Sequence, residues 1–146
     1  MQLPNDIYQP AEWILDNLIG ITAKGRNFEV GFGPMPNGRW PPGTVERLEY
    51  VGKWLQVNGE AIYNTRPGKI FREGSSVLFT GHKTGDVVHA ISIGWPGQRL
   101  AINSLRGFYA SNVFILGVER PLDCHQESRG LVIDIPQAAV AEKKVC

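Results

Sequence analysis

The sequence lacks the features that mark membrane proteins and nucleic-acid-binding proteins. No stretch approaches the roughly 20 apolar residues that a membrane-spanning helix requires. Lysine and arginine are scattered along the chain, and Lys143-Lys144 is the only adjacent pair. The clustered basic residues that mark a nucleic-acid surface are therefore missing. We expect neither a membrane nor a nucleic acid as a partner.

Cysteine and histidine are also scarce. The two cysteines, Cys124 and Cys146, lie far apart, which favours two free thiols over a disulfide framework, although one bridge remains possible. The three histidines, His82, His89 and His125, are not at the spacing that metal ligands show. No Gly-x-Ser-x-Gly motif of a serine hydrolase occurs either. We therefore expect no metal site and no cofactor.

The first ten residues, MQLPNDIYQP, carry no basic cluster followed by an apolar core. The sequence therefore shows no secretory signal. It also contains no Asn-x-Ser/Thr glycosylation sequon. These observations leave the cellular compartment open.

What the chain does contain is the composition of a globular protein, with 42% hydrophobic and 20% charged residues. Apolar residues recur at helical spacing from Pro10 to Lys24 and from Thr44 to Val57, which predicts two helices. Gly25 is expected to end the first helix. Asn58-Gly59 is expected to end the second, since glycine adopts the left-handed conformation at little cost.

Between the predicted helices, apolar and polar residues alternate from Asn27 to Phe32, as in a β-strand. The segment Gly33 to Gly43 contains four prolines and three glycines and is predicted to be a loop. A single strand between two helices cannot satisfy its own backbone hydrogen bonds. The first part of the chain therefore has the pattern of a fragment of an alternating α/β fold.

The pattern of apolar and turn-forming residues changes near residue 67. Short β-like runs separated by glycine- and proline-containing turns follow, which predicts an antiparallel sandwich or a small barrel. We place the domain boundary so that residues 1–67 and 68–146 form two units. The predicted strands cover residues 76–80, 87–93, 99–103, 112–118 and 131–135.

One long stretch resembles a known family. The residues KGRNFEVGFGPMPNGRWPPGTVERLEYVGKWLQVNGEAIYNTRP, from Lys24 to Pro67, resemble the end of the catalytic barrel in α-L-fucosidases of glycoside hydrolase family 29. AISIGWPG (90–97) and NVFILG (112–117) are weaker matches to the β-sandwich that follows this barrel. The chain departs from the family pattern where the usual Gly-Gly-Asn reads Gly25-Arg26-Asn27. It also departs at Glu29 and Gly31, where many members carry an apolar residue and Asn.

The resemblance implies an α+β fold, with a helix–strand–helix remnant of a (β/α) barrel followed by an antiparallel β-sandwich. It implies a family activity, the retaining hydrolysis of terminal α-L-fucose from glycans. Retention requires two carboxyl groups about 5 Å apart, and in the family both lie upstream of the segment present here. A complete barrel takes about 250 residues. We therefore expect this chain to be the C-terminal portion of an α-L-fucosidase-like protein that is inactive alone.

Four residues are candidates for a site. Glu29 is the best single candidate for a catalytic carboxyl group, although an outward, solvated side chain is the interpretation we favour. Asn37, Arg39 and Trp40 follow the C-terminal end of the predicted strand, where barrel enzymes place their sites. Arg39 and Trp40 could contact a sugar, with the indole stacked on the ring. The alternative is a glycine turn in which Trp40 packs against the next helix.

Other polar and aromatic residues have plainer interpretations. Trp13 and Trp54 lie at helical positions and are predicted to be in the core. Trp95 belongs to a predicted sandwich turn, with sugar stacking as the minor alternative. Glu60 is expected to form a hydrogen bond with the local backbone or an ion pair with an arginine. Asp134 is expected on the solvent-exposed face of a strand.

Three hypotheses about partners remain open. The expected partner is a fucosylated glycan, if the missing part of the barrel is supplied. The rival is a free-standing, non-catalytic module that binds carbohydrate or protein through the sandwich, with binding that depends on Trp40 or Trp95. The third is a truncated reading frame that exposes the apolar residues Phe28, Val30 and Phe32 and self-associates through its unpaired strand.

Overall fold

Two α-helices and two three-stranded antiparallel sheets form the part of the chain that this computed structural model describes, residues 7–107 and 112–136. The helices are α1 (Ala11–Ala23) and α2 (Pro42–Asn58). Within these residues no helix is both long and apolar enough to cross a membrane. The strands are β1 (Thr65–Glu73), β2 (Val77–His82), β3 (Val88–Ser92), β4 (Arg99–Ile102), β5 (Cys124–Glu127) and β6 (Gly130–Asp134).

Helix α1 confirms the prediction from apolar spacing. Ile14, Leu15, Ile19 and Ala23 are buried along one face, as an amphipathic helix requires. The helix ends at Ala23 and is followed by Gly25, whose φ of +68° is left-handed and whose N–H donates to the Thr22 carbonyl at 2.8 Å.

Helix α2 is also confirmed and ends at Asn58-Gly59 as predicted, but the left-handed conformation expected of Gly59 is wrong. Pro42 occupies the first turn, where a missing N–H costs nothing. Gly59 is right-handed, with φ −60° and ψ −26°, and it opens a 3₁₀ turn over Gly59–Ala61. A Cβ on Gly59 would lie 2.8 Å from the Tyr63 ring, so glycine is needed for close approach rather than for handedness. The left-handed residue is Asn64, with φ +57°.

The strands form the sheets β1-β2-β3 and β4-β6-β5. Val77 and Phe79 of the first sheet share a core cluster with Ile102, Leu131 and Ile133 of the second, so the two sheets pack together as a sandwich. Leu78 and Ile91 alternate to the other face of the first sheet. There they pack on a second cluster, which includes Ile19 and Ala23 of α1 and Ala61.

Strand β2 therefore lies between helix α1 on one side and the second sheet on the other. Residues Val77 to Thr80 are all buried, as expected of a strand covered on both faces. The α+β fold class is confirmed, as are four of the predicted strands, β2, β3, β4 and β6.

Two predicted strands are not formed. Residues 27–32 belong to no helix or strand, and within the described residues their backbone groups make no hydrogen bonds. Their alternation survives, since Phe28, Val30 and Phe32 are half-buried while Glu29 is exposed. A strand needs a neighbouring strand, and the described residues offer none here. The described part of 112–118 forms only a single bridge, Phe114 to Pro121.

The tryptophan predictions have mixed outcomes. Trp54 is half-buried and packs on the cluster around Ile19, as predicted. Trp13 is 44% exposed and lies edge-on to Phe28, with ring centroids 6.5 Å apart, so its core prediction is wrong. Helical spacing places a residue on a face but does not say how far the neighbouring segment covers it.

Candidate functional site

The loop before α2 is closed by its own hydrogen bonds. Met35 N–H donates to the Arg39 carbonyl at 2.9 Å, and Gly38 N–H donates to the Met35 carbonyl at 2.9 Å. Gly38 has φ +78°, which a side chain would disfavour. The Asn37 side-chain oxygen accepts from Arg39 N–H at 3.0 Å, so Asn37 shapes the turn.

This turn presents the predicted sugar-contacting residues to solvent. Asn37, Arg39 and Trp40 are all exposed, and Trp40 is 57% exposed. The Arg39 guanidinium makes no ion pair with any described residue. An open indole face beside an unpaired guanidinium can cover an apolar ring face and donate hydrogen bonds to neighbouring oxygen atoms. The structure therefore brings these three residues together on one loop.

Glu29 lies upstream of this loop on the extended segment 27–32. Its side chain is exposed, and it makes no hydrogen bond or ion pair with the residues that the structure describes. Glu60, also exposed, approaches His89, with 4.0 Å between the carboxylate oxygen and the imidazole Nε2. No described element brings a shielded carboxyl group into contact with Glu29.

A cluster of charged residues on the second sheet was not predicted from the sequence. Arg99 on β4 donates to Glu127 on β5 at 2.8 Å, and its Nε lies 3.7 Å from the Asp134 carboxylate on β6. His125 lies between the same two carboxylates, at 3.2 Å from Glu127 and 3.8 Å from Asp134. All four side chains are about half exposed.

This cluster has two carboxyl groups but not the environment of a glycosidase pair. A retaining glycosidase needs one carboxyl group that keeps a proton, and a shielded, low-polarity site favours that form. Here Glu127 and Asp134 are about half exposed and contact the Arg99 guanidinium, so neither carboxyl group lies in a shielded site. The cluster was missed because β5, Cys124–Glu127, lacks the apolar alternation that identifies a strand. Asp134 is exposed, as predicted.

Within the described residues, no three His, Cys, Asp or Glu side chains are arranged so that they could hold a metal ion. His89 is buried on β3, and its Nε2 has no hydrogen-bond partner among the described residues. Burial lowers the pKa of His89; the Glu60 carboxylate opposes this effect and His82 adds to it. A buried, neutral imidazole is a structural feature of the first sheet.

Comparison with known families divides the chain into two parts. The family described as Alpha-L-fucosidase matches residues 3–60. The family described as Alpha-L-fucosidase C-terminal domain matches residues 73–146.

Individual relatives match most of the chain. Tissue alpha-L-fucosidase of Bos taurus is 34% identical over 127 residues, which are 85% of this chain and 27% of the bovine protein. Alpha-L-fucosidase of Branchiostoma floridae is 35% identical over 133 residues, 86% of this chain and 29% of that protein. The chain thus spans less than a third of the length of these curated relatives.

Among solved structures, Thermotoga maritima alpha-fucosidase in complex with a mechanism-based inhibitor superposes on 94% of this chain with a TM-score of 0.81 and 25% identity. The superposed part is 33% of that protein. Along the chain, the match to the Alpha-L-fucosidase family precedes the match to the Alpha-L-fucosidase C-terminal domain. The chain belongs to the α-L-fucosidase family and corresponds to the C-terminal portion of its members.

Proposed function

We propose that this chain supplies the end of the catalytic barrel and the C-terminal sandwich of a protein that hydrolyses terminal α-L-fucose from glycans with retention. The observation that carries the proposal is the superposition on the inhibitor-bound Thermotoga maritima alpha-fucosidase over 94% of this chain. The family match over residues 3–60 supports the same assignment for the barrel part.

The chemistry requires more than the described residues provide. Retention needs a nucleophilic carboxylate and a protonated carboxyl group about 5 Å from it. Glu29 is exposed, and Glu127 and Asp134 are bound to Arg99 and His125. We therefore propose that the catalytic pair comes from sequence upstream of this portion, and that this chain alone does not hydrolyse fucosides.

The proposed contribution to substrate binding is the turn that contains Asn37, Arg39 and Trp40. This turn follows the extended segment 27–32, and sites in barrel enzymes lie in the loops after the strands. Trp40 would cover the apolar face of a sugar ring, and Arg39 would donate to its hydroxyl groups. Asn37 would hold the turn through its bond to Arg39 N–H.

A chimera tests this function. In bovine tissue alpha-L-fucosidase, the stretch that matches this chain is replaced by the matching residues of this chain, and release of 4-nitrophenol from its α-L-fucoside is measured. We expect hydrolysis by the chimera and none by this chain alone. A chimera that folds, as judged by circular dichroism and gel filtration, but releases nothing would contradict the proposal.

Substitutions in the chimera test the turn. Trp40→Ala and Arg39→Ala are expected to raise KM by about tenfold each, as for the loss of one contact worth about 1.4 kcal/mol. Arg129→Ala, an exposed cation on the turn between β5 and β6, is the matched control and should leave KM unchanged. If the chain alone hydrolyses the fucoside and Glu29→Gln abolishes the activity, Glu29 is catalytic and the upstream pair is unnecessary.

The rival function is a non-catalytic sugar-binding module, and the 39% exposure of Trp95 in the turn before β4 favours testing it. Fucose is titrated into the chain alone while tryptophan fluorescence is recorded. Saturable binding that Trp95→Ala abolishes and Trp40→Ala does not would favour the rival. Loss with Trp40→Ala alone would favour the barrel turn.

A further inference from the structure

Two adjoining cavities lie where the end of α1 meets the start of β1. Each has a volume of about 410 Å³, and they share Arg26 and Pro67 in their walls. Lys24 lines the first cavity, whereas Arg66 and Lys83 line the second. We call the two together the basic cleft, and no aspartate or glutamate is among its lining residues.

The backbone fixes this arrangement. Gly25 is left-handed, and a Cβ on it would lie 2.8 Å from the Pro67 ring, so the end of α1 rests directly on β1. On the ladder, Thr65 faces His82 and Arg66 faces Gly81, and Lys83 N–H donates to the Asn64 carbonyl at 3.0 Å. These contacts place Asn64, Arg66 and Lys83 at the same end of the β1–β2 ladder.

The cations of the cleft are not neutralised by the described residues. Lys24 lies over the Phe71 ring at 5.7 Å, and neither it nor Arg26, Arg66 or Lys83 makes an ion pair within residues 7–107 and 112–136. The whole chain has 15 basic and 14 acidic residues, for a net charge of +1. Four uncompensated cations in one place are therefore a local feature and not a consequence of a basic protein.

The remaining walls of the cleft carry groups that bind oxygen atoms. Asn27, Asn64 and Thr22 provide amides and a hydroxyl beside the cations, whereas the Thr65 hydroxyl already donates to the Ile62 carbonyl at 2.8 Å. Asn64 has φ +57°, a conformation uncommon outside glycine and found in turns and at functional sites. Arg26 and Arg66 both line the second cavity, and a guanidinium group binds planar or tetrahedral oxyanions through paired donors.

We propose that the basic cleft binds a sulfate or phosphate group, either free or as an ester on a sugar. Arg26 and Arg66 hold the oxyanion, and Lys24 and Lys83 add positive charge beside it. The amide and hydroxyl groups of the cleft form hydrogen bonds with the sugar hydroxyl groups of an ester. This proposal does not depend on the hydrolytic function, because the cleft contains none of the residues of the Asn37–Trp40 turn.

The test is a titration of the full 146-residue chain, labelled with ¹⁵N, at constant ionic strength. The probes are sodium sulfate, sodium phosphate, N-acetylglucosamine 6-sulfate and, as the uncharged control, N-acetylglucosamine. We expect saturable shifts in the amide signals of residues 25–27 and 64–66 with the anionic probes only. Tighter binding of the sulfated sugar than of sulfate would identify an ester as the ligand, and equal binding would identify the free oxyanion.

Substitutions then locate the site. Arg26→Gln and Arg66→Gln are each expected to raise the dissociation constant about tenfold, as for loss of one charge-assisted contact. Arg129→Gln removes an exposed cation far along the chain and should change the dissociation constant less than twofold. Equal weakening by Arg129→Gln, or no saturable shift with any anion, would overturn the proposal. All three residues are exposed, so the substitutions should leave the fold intact, which circular dichroism would verify.

Discussion

At the scale of single residues, His89 is the clearest source of pH-dependent stability. It is buried on β3, its Nε2 makes no hydrogen bond within the described residues, and burial lowers its pKa below the ordinary value of 6.5. The Glu60 carboxylate at 4.0 Å works against this shift, but it is exposed and therefore screened by water. The folded chain therefore favours the neutral imidazole more strongly than the unfolded chain does.

The sign of the effect follows from this difference. Between the folded pKa and 6.5 the unfolded chain binds more protons, so stability falls as the pH falls through that range and is complete above 6.5. One group changes the free energy of unfolding by at most about 1.4 kcal/mol per pH unit. We expect His89→Gln to flatten this dependence. Urea unfolding of the wild-type chain and the His89→Gln variant at pH 5.5 and 7.5 measures this pH dependence. If the free energy of unfolding changes equally with pH in both, the prediction is contradicted.

At the scale of secondary-structure elements, Glu73 connects the two sheets. It is the last residue of β1, and its carboxylate accepts from Asn103 N–H at 2.7 Å, from Ser104 N–H at 2.6 Å and from the Ser104 hydroxyl. These residues form the 3₁₀ turn that follows β4. Desolvation raises the pKa of Glu73, but the hydrogen bonds from Ser104 and Asn103 outweigh it, so the pKa is lowered from 4.5.

We expect Glu73→Gln to lower the free energy of unfolding by about 1–2 kcal/mol at pH 7, since the amide has one acceptor oxygen and its NH2 group cannot accept from the donors that face the other carboxylate oxygen. The contribution of the carboxylate is present above pH 4.5 and is lost as the pH falls through its lowered folded pKa. The difference in the free energy of urea unfolding between the wild-type chain and the Glu73→Gln variant should therefore be smaller at pH 3 than at pH 7. Glu49→Gln, on the exposed side of α2, is the control and should cost less than about 0.5 kcal/mol.

The elements differ in how well the sequence predicts them, for physical reasons. Helices satisfy their own backbone, so apolar spacing was sufficient for α1 and α2. Strands satisfy theirs through neighbours, and residues 27–32 kept the pattern of a strand without forming one. Strand β1 was missed because Pro67 and Gly68 interrupt it; the ladder shifts its register between Pro67 and Arg72.

The candidate site was predictable in part for the same reasons. The four prolines and three glycines of the segment 33–43 indicated a loop, so Arg39 and Trp40 could be assigned to it together. The basic cleft could not be predicted, because Arg26 and Arg66 are 40 positions apart and meet only through the contact of Gly25 with Pro67. A contact between segments that are far apart in sequence leaves no periodicity or motif in either segment.

At the scale of the whole molecule, the described residues form three layers: helix α1, the first sheet and the second sheet. Helix α2 and the segment 27–32 are packed less completely than these layers. Val45, Leu48 and Val57 on α2 are each at least 40% exposed. The unpaired backbone of residues 27–32 lies in the same portion of the chain. In a protein of the full family length, the upstream two thirds would be available to cover these surfaces.

Without such a cover, we propose that the chain self-associates through the backbone of residues 27–32, because unpaired strand groups pair readily with another chain. Light scattering at several concentrations should show a mass that rises with concentration. Glu29→Pro removes one backbone N–H at an exposed position and should reduce the association, whereas Glu29→Ala, its matched control, should not. A monomer at every concentration would contradict the proposal. Association that Leu48→Lys abolishes and Glu29→Pro leaves intact would assign it instead to the apolar face of α2, where Leu48 is 50% exposed.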